Sequence, residues 1–430
     1  MYNIFLNPSI AAILFGIAAI FLFTLLKKTH NRLAVICTIL LFLLCVSCTI
    51  YLNSRIVWLS MLLVLVITTL TQQKIKLSKA YKFITIICFL IVLWIIGLHK
   101  QKSSHGRLFI YKINAQILQE HWLTGIHQPY SVIFNHTQAN YFANTTQATL
   151  EEKLLAGNNY FVLNEWLNIL IHYGILVFIF TVLATIYLIK ICFKQLKLFP
   201  KKVWAVGIVL FLLMVSLVSY PFSFTPYLFI FGACALYVLK DSFNLSKRVN
   251  NTIFCTLFIG LFVFCLNNTY IIIKAEKEKK AITDLFRVGY INQALTKALA
   301  IQHTQPPSQQ VYEQIAAIYL QKNNIDSAIF YIDLSHNFIC NDELHNFWGN
   351  CLLLQHKPNH AIDQFVLAAN IIPHRFKNRF DLLNAYLLIN DFEQAKKCGH
   401  EIISLPEKIP SKKSSLYKQK ALVILDTLSQ

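Results

Sequence analysis

Acidic residues are scarce in this chain: 20 Asp and Glu stand against 39 Lys and Arg, and charged residues make up only 14% of 430 positions. Strict apolar–polar alternation is missing, which excludes a transmembrane barrel and leaves helices as the way to satisfy backbone hydrogen bonds in lipid. Metal-type cysteine spacing is missing too. Of the 11 cysteines, eight lie in apolar runs (37, 45, 48, 88, 192, 234, 255, 265) and three near the C-terminus (340, 351, 398). The Cys45–Cys48 pair sits in an apolar helix, where small packing residues are the plain expectation. Met1 to Pro8 hold no signal peptide and no positive charge.

Apolar sequence fills the space instead, with 56% hydrophobic residues and a mean hydropathy of +0.51. Runs of about 17 to 22 residues recur, each long enough to cross a bilayer core as a helix. Eight spans are expected, at 9–26, 33–51, 56–71, 83–98, 166–190, 203–220, 222–239 and 252–273. The fold class is therefore all-α: a polytopic membrane helix bundle followed by a soluble helical solenoid. Four segments follow, namely 1–98 (spans one to four), 99–160 (a large polar loop), 161–273 (spans five to eight) and 274–430 (the solenoid).

A net charge of +19 would suggest nucleic acid in a soluble protein. Here the cations concentrate in four short connections: Lys27, Lys28 and Arg32; Lys74, Lys76, Lys79 and Lys82; Lys190, Lys194, Lys197, Lys201 and Lys202; and Lys240, Lys247 and Arg248. Alternate connections are nearly free of positive charge, so the basic ones are expected in the cytoplasm and the polar loop, both termini and the solenoid outside. Nucleic acid is not an expected partner. The expected location is the bacterial cytoplasmic membrane, with loop and solenoid in the periplasm. An outward N-terminus without a positive flank is expected if spans have been lost upstream.

From Lys274 onward the chain repeats itself every 33 to 34 residues: Ala294, Ala328, Ala361 and Ala395 recur in register. Ile291, Ile325, Pro358 and Phe392 precede them by three, and Tyr319, Leu352 and Tyr386 precede the last three by nine. This resembles the tetratricopeptide repeat, in which small alanines let paired helices pack closely, and about three and a half units are expected. The resemblance implies a concave surface for a protein partner. His336, His345, His356, His360 and His374 show no i,i+4 pairing and are expected to be surface or core residues, with no metal and no cofactor.

Residues 106–125 read as an amphipathic helix ending near Gly125, with Leu108, Ile110, Ile113, Ile117 and Leu118 on its apolar face, and it is expected along the membrane surface. Together with its neighbours it resembles the O-antigen ligase and polymerase superfamily. The elements that carry the likeness are FLNPSIAAIL (5–14), NSRIVWL (53–59), GRLFIYK (106–112) with Gly125, QANYF (138–142) and NEWLNILIHYG (164–174), in family order from about residue 5 to 240.

The resemblance implies transfer of a glycan from undecaprenyl diphosphate to an acceptor hydroxyl, without metal or nucleotide sugar. A departing diphosphate gains negative charge, and guanidinium meets phosphate through paired hydrogen bonds. Arg107 is the first candidate for that role, Arg55 the second, and Lys112 adds attraction; each has a plain alternative as an interfacial side chain. A base or an oriented hydrogen-bond partner is also needed. Ligases of the family often carry a histidine where this chain has Leu163. The role is left among Glu165, with Asn164 orienting a sugar hydroxyl, His127 or His136 from the loop, and His172 beside Glu165. Three functions remain open: ligation to lipid A core or another glycan, transfer to a protein acceptor, or a non-catalytic scaffold whose repeats recruit partners.

Overall fold

The computed structural model describes residues 8–26, 29, 31–72, 101–144, 148–240, 242, 246–304 and 309–429. All regular structure among them is helical. The expected span at 83–98 lies outside the described residues. Contacts divide the chain into two compact units: 1–101 with 162–274, and 102–161 with 275–430.

The first unit contains α1 (Pro8–Leu26), α2 (Arg32–Tyr51), α3 (Arg55–Gln72), α7 (Glu165–Leu198), α8 (Val203–Ser216), α9 (Thr225–Leu239) and the apolar part of α10 (Lys247–Val288). α8 is its centre. It is apolar on all sides and nearly every residue from Val203 to Ser216 is buried, because α1, α3, α7 and α9 surround it. α1 and α8 approach closely at Gly16, where a Cβ would stand 2.5 Å from the Phe211 ring. Small residues at such crossings are how apolar helices gain contact when burial from water supplies no drive.

Four described helices, α1, α2, α7 and α10, are long and apolar enough to cross a membrane; α3, α8 and α9 are shorter apolar helices. The expected spans 203–220 and 222–239 are shorter in the structure because residues 217–224 form the connection. α8 ends at Ser216, Pro221–Ser223 make a 3₁₀ turn, and Pro226 opens α9. On the outward faces of α2, α7 and α10, Leu40, Phe180 and Val263 are 61%, 73% and 57% exposed, a surface that water would penalise and lipid would not. α7 also differs from one continuous span at 166–190. Gly174 breaks it, with φ 75° and ψ −178°, a region that is essentially glycine-only.

In the second unit, α4 (Gln101–His121), α5 (Tyr130–Asn144) and α6 (Leu150–Leu155) join a solenoid. The solenoid begins with the end of α10 and α11 (Ile291–Thr304). It continues as α12 (Gln309–Gln321) with α13 (Ile325–His336), α14 (Asp342–Leu354) with α15 (Pro358–Ile371), and α16 (Phe376–Leu388) with α17 (Phe392–Ser404). α18 (Lys412–Ser429) closes it. Ala294, Ala328, Ala361 and Ala395 are each 0% exposed, as close helix pairing in a tetratricopeptide-like repeat requires.

A second register runs with the alanines. Gly289, Asn323, His356 and Asn390, each five residues earlier, take positive φ of 94°, 56°, 59° and 57°. Each lies in the turn between paired helices, where a left-handed residue closes the first helix. His356 is therefore a turn residue. Glycine lacks the steric cost of that conformation, so His356→Gly is expected to stabilise the repeats by about 1 kcal/mol, readable as an upward shift in the melting of the full-length protein in detergent.

Candidate functional site

The residues singled out from sequence fall in both units. Arg55, Asn164, Glu165 and His172 belong to the first; Arg107, Lys112, His127 and His136 belong to the second.

In the first unit, Asn164 caps α7: its Oδ1 accepts from the amides of Trp166 (2.9 Å) and Leu167 (3.1 Å), while its Nδ2 donates to Leu217 O. Glu165 is 5% exposed, and its Oε1 accepts from the Ser223 amide at 3.0 Å. Its own amide donates to Ser219 O at 3.2 Å. The NE dipeptide thus ties the start of α7 to the 217–223 connection. Asn168 Nδ2 lies 3.5 Å from Glu165 Oε2. His172 Nδ1 is 3.0 Å from Asn168 O, so that nitrogen carries the proton and donates, because a carbonyl only accepts. Arg55 is partly buried at the start of α3. An apolar groove of ≈ 510 Å³ runs along this unit, lined by Leu14, Phe21, Trp204, Phe229, Tyr237 and Phe258 among others.

In the second unit, the expected apolar face is covered only in part: Ile113 and Ile117 are 0% and 2% exposed, Ile110 and Leu118 half-buried, and Leu108 64% exposed. Phe109, 4% exposed, packs on Tyr141 and Phe142, and Tyr130 donates to Asn114 Oδ1. Arg107 is partly buried on α4. The exposed Lys112 Nζ donates to Glu152 Oε1 at 2.6 Å and to Tyr141 Oη at 2.7 Å. Those bonds, first from Glu152 and then from Tyr141, hold the ammonium pKa above its ordinary value. Its charge is therefore answered within the protein, in a cleft of ≈ 280 Å³ that Glu151 and Glu152 also line. His127 is exposed in the link between α4 and α5.

α5 does not stand apart as a loop. Gln138, 1% exposed, donates to Ile371 O (2.7 Å) and Gly157 O (3.1 Å), Asn135 donates to Cys340 O, and Val132 and Ala139 pack with Cys340, Ile371 and Ile372. The QANYF element and the preceding asparagine are thus seated on the repeats.

His136, on the same helix, stands beside His336 and His345. Burial lowers the pKa of all three; that of His345 falls to about 4, and burial lifts the Cys340 thiol to about 12. His336, Cys340 and His345 lie within ten residues, a signal present in the sequence but missed by a search for i,i+4 histidine pairs, whereas His136 lies 200 residues before His336.

No protein-family model matches the chain, and no curated protein matches it. Among solved structures it is similar to MamA AMB-1, with 14% identity over 36% of this chain and 91% of that one, at a TM-score of 0.28. It is also similar to MamA MSR-1 (14% identity, 36% and 95% covered, TM-score 0.27) and to the yeast Tom70 (12% identity, 90% and 85% covered, TM-score 0.25). At such scores the likenesses carry no argument, and the repeat stands on its own register of buried alanines and left-handed turns.

Proposed function

We propose that this chain is an O-antigen ligase-like transferase of the bacterial cytoplasmic membrane, multi-pass with eight spans and with loop and repeats in the periplasm. The reading rests on one observation: the family-like elements occur in family order and spacing between about residues 5 and 240. In the reaction, an acceptor oxygen attacks the anomeric carbon of the carrier-bound sugar. The bond from that carbon to the diphosphate oxygen breaks, the acceptor proton passes to a base, and undecaprenyl diphosphate leaves with the extra negative charge.

Arg107 is assigned to the diphosphate and Arg55 is its second candidate. Lys112, answered by Glu152, ranks behind both. Glu165 is assigned to the acceptor hydroxyl, with Asn164 and His172 around it. The apolar groove in the first unit has the lining a polyprenyl tail needs. The acceptor is lipid A core, another glycan or a protein, and a protein acceptor would use the repeat surface.

A second reading, a non-catalytic scaffold, gains from the way Glu165 and Lys112 are both held by internal hydrogen bonds. The test is transfer from purified undecaprenyl-diphosphate glycan to candidate acceptors by the full-length protein. Arg107→Ala is expected to lower transfer by about 10²- to 10³-fold, as removal of one charge-stabilising donor does elsewhere, and Arg107→Lys to recover part of it. Equal activity of parent and R107A would remove Arg107 from the site. A parent inactive toward every acceptor would leave the scaffold.

A further inference from the structure

Around the turn from α13 to α14, three side chains of metal-binding type converge from within ten residues of sequence, and a fourth approaches from α5. His336 ends α13, Cys340 lies in the connection, and His345 is on the first turn of α14. The donor atoms of these three all lie within 4.8 Å of one another. Cys340 Sγ is 3.2 Å from His345 Nε2. The other nitrogen of His345, Nδ1, is 2.8 Å from Gln364 Oε1; an amide oxygen only accepts, so Nδ1 carries the proton and Nε2 turns its lone pair toward Cys340. A partner on the far nitrogen that fixes tautomer and ring orientation is the usual support of a metal-ligating histidine. His336 Nδ1 is buried and has no hydrogen-bond partner.

His136 enters from α5 as the fourth group. Its ring centroid is 5.6 Å from that of His336 and 6.5 Å from that of His345, and His336 and His345 are 5.2 Å apart. An imidazole bound at about 2.0–2.1 Å holds its centroid about 3.2 Å from the ion, so two rings on one tetrahedral ion stand about 5.2 Å apart. The His336–His345 spacing matches that value, whereas His136 stands further out and must move inward to become the fourth ligand. Trp348 stacks on His345 at an interplanar angle of 16°, giving the cluster an apolar wall.

We propose that His336, Cys340 and His345 bind a zinc ion, with His136 as fourth ligand. Three neutral imidazoles and one thiolate suit zinc, which takes nitrogen and sulfur donors tetrahedrally. On binding, the Cys340 thiol proton is released to solvent and one zinc–sulfur and three zinc–nitrogen bonds form. Because His136 comes from α5 and the other three from the solenoid, the ion ties the polar 102–161 segment to the repeats. The proposal stands whether or not the chain transfers glycan.

The experiment uses the full-length protein in detergent, stripped with a chelator and titrated with Co²⁺ as an optical probe, then with Zn²⁺ in competition. The wild type is expected to take up one equivalent with a thiolate-to-cobalt charge-transfer band that zinc abolishes. Cys340→Ser and His336→Gln are expected to lose band and equivalent, Cys398→Ser to keep both, and His136→Ala to bind at least tenfold more weakly. Circular dichroism checks that each variant is folded. A wild type without the band overturns the site however the variants behave, as does a band that survives in C340S; unchanged affinity in H136A removes the fourth ligand.

Discussion

Asp342→Ala is expected to destabilise the repeat unit by about 1–3 kcal/mol, the cost of leaving buried hydrogen-bond donors short of an acceptor. Asp342 opens α14 and is 0% exposed. Its Oδ2 accepts from Arg375 Nη1 at 2.7 Å and from Asn378 Nδ2 at 3.0 Å, and its Oδ1 accepts from Asn158 Nδ2 at 2.9 Å. Asn378 is itself 0% exposed and keeps Ala368 O as an acceptor, while Arg375, 38% exposed, keeps Glu343, so alanine removes one partner from each. The carboxylate joins two stretches distant in sequence: the polar segment through Asn158, and the start of α16 through Arg375 and Asn378. Hydrogen exchange of the full-length protein reads the result directly, since amides around 130–160 and 342–388 should lose protection together. Asp342→Asn should cost less, keeping one acceptor while turning an amide group toward a donor. A loss under about 1 kcal/mol would mean that water replaces the carboxylate cheaply.

The second large effect concerns the fit of α14 on α15. A Cβ at Gly349 would lie 2.5, 2.7 and 2.9 Å from three carbons of the Phe365 ring, and Phe365 is 0% exposed. The ring cannot swing aside, because it is packed in a cluster with Leu352, Ala361, Leu382 and Leu383. Gly349→Ala should therefore cost about 1–3 kcal/mol through overpacking. Phe365→Ala should cost about 3–5 kcal/mol, the transfer energy of the ring plus the cavity left behind. The pair should couple: in G349A/F365L the smaller side chain accepts the new methyl, and the double variant should be more stable than the sum of the single losses predicts. Additive melting shifts would show that the two positions do not share the space.

Much of the fold was legible because it is local. The apolar runs at α1, α2, α7 and α10 announce themselves by length, and the repeat by its alanines. The left-handed register of Gly289, Asn323, His356 and Asn390 was equally present in the sequence, disguised by a histidine where glycine or asparagine is usual. α8 and α9 were drawn too long because hydropathy does not distinguish a helix from an apolar connection such as 217–224. The amphipathic pattern of α4 did not say which of its apolar residues protein would cover: Ile113 and Ile117 are buried, whereas Leu108 is 64% exposed. Among the candidate site residues, the polarity of Asn164, Glu165 and Lys112 was plain, but the groups that answer them, Ser223, Leu217, Tyr141 and Glu152, depend on packing.

The sequence by itself determined which segments are helices, which are apolar enough for lipid, and where the 33- to 34-residue repeat falls, because each follows from periodicity and burial preference over one or a few turns. Only the tertiary structure decided that the polar segment is part of the repeat unit, since hydrogen bonds such as Gln138 to Ile371 close across 233 residues. It also decided that His136, His336, Cys340 and His345 share one place. The last three meet around one turn, but His136 joins them only because α5 packs on the repeats, and no local preference of the chain encodes that.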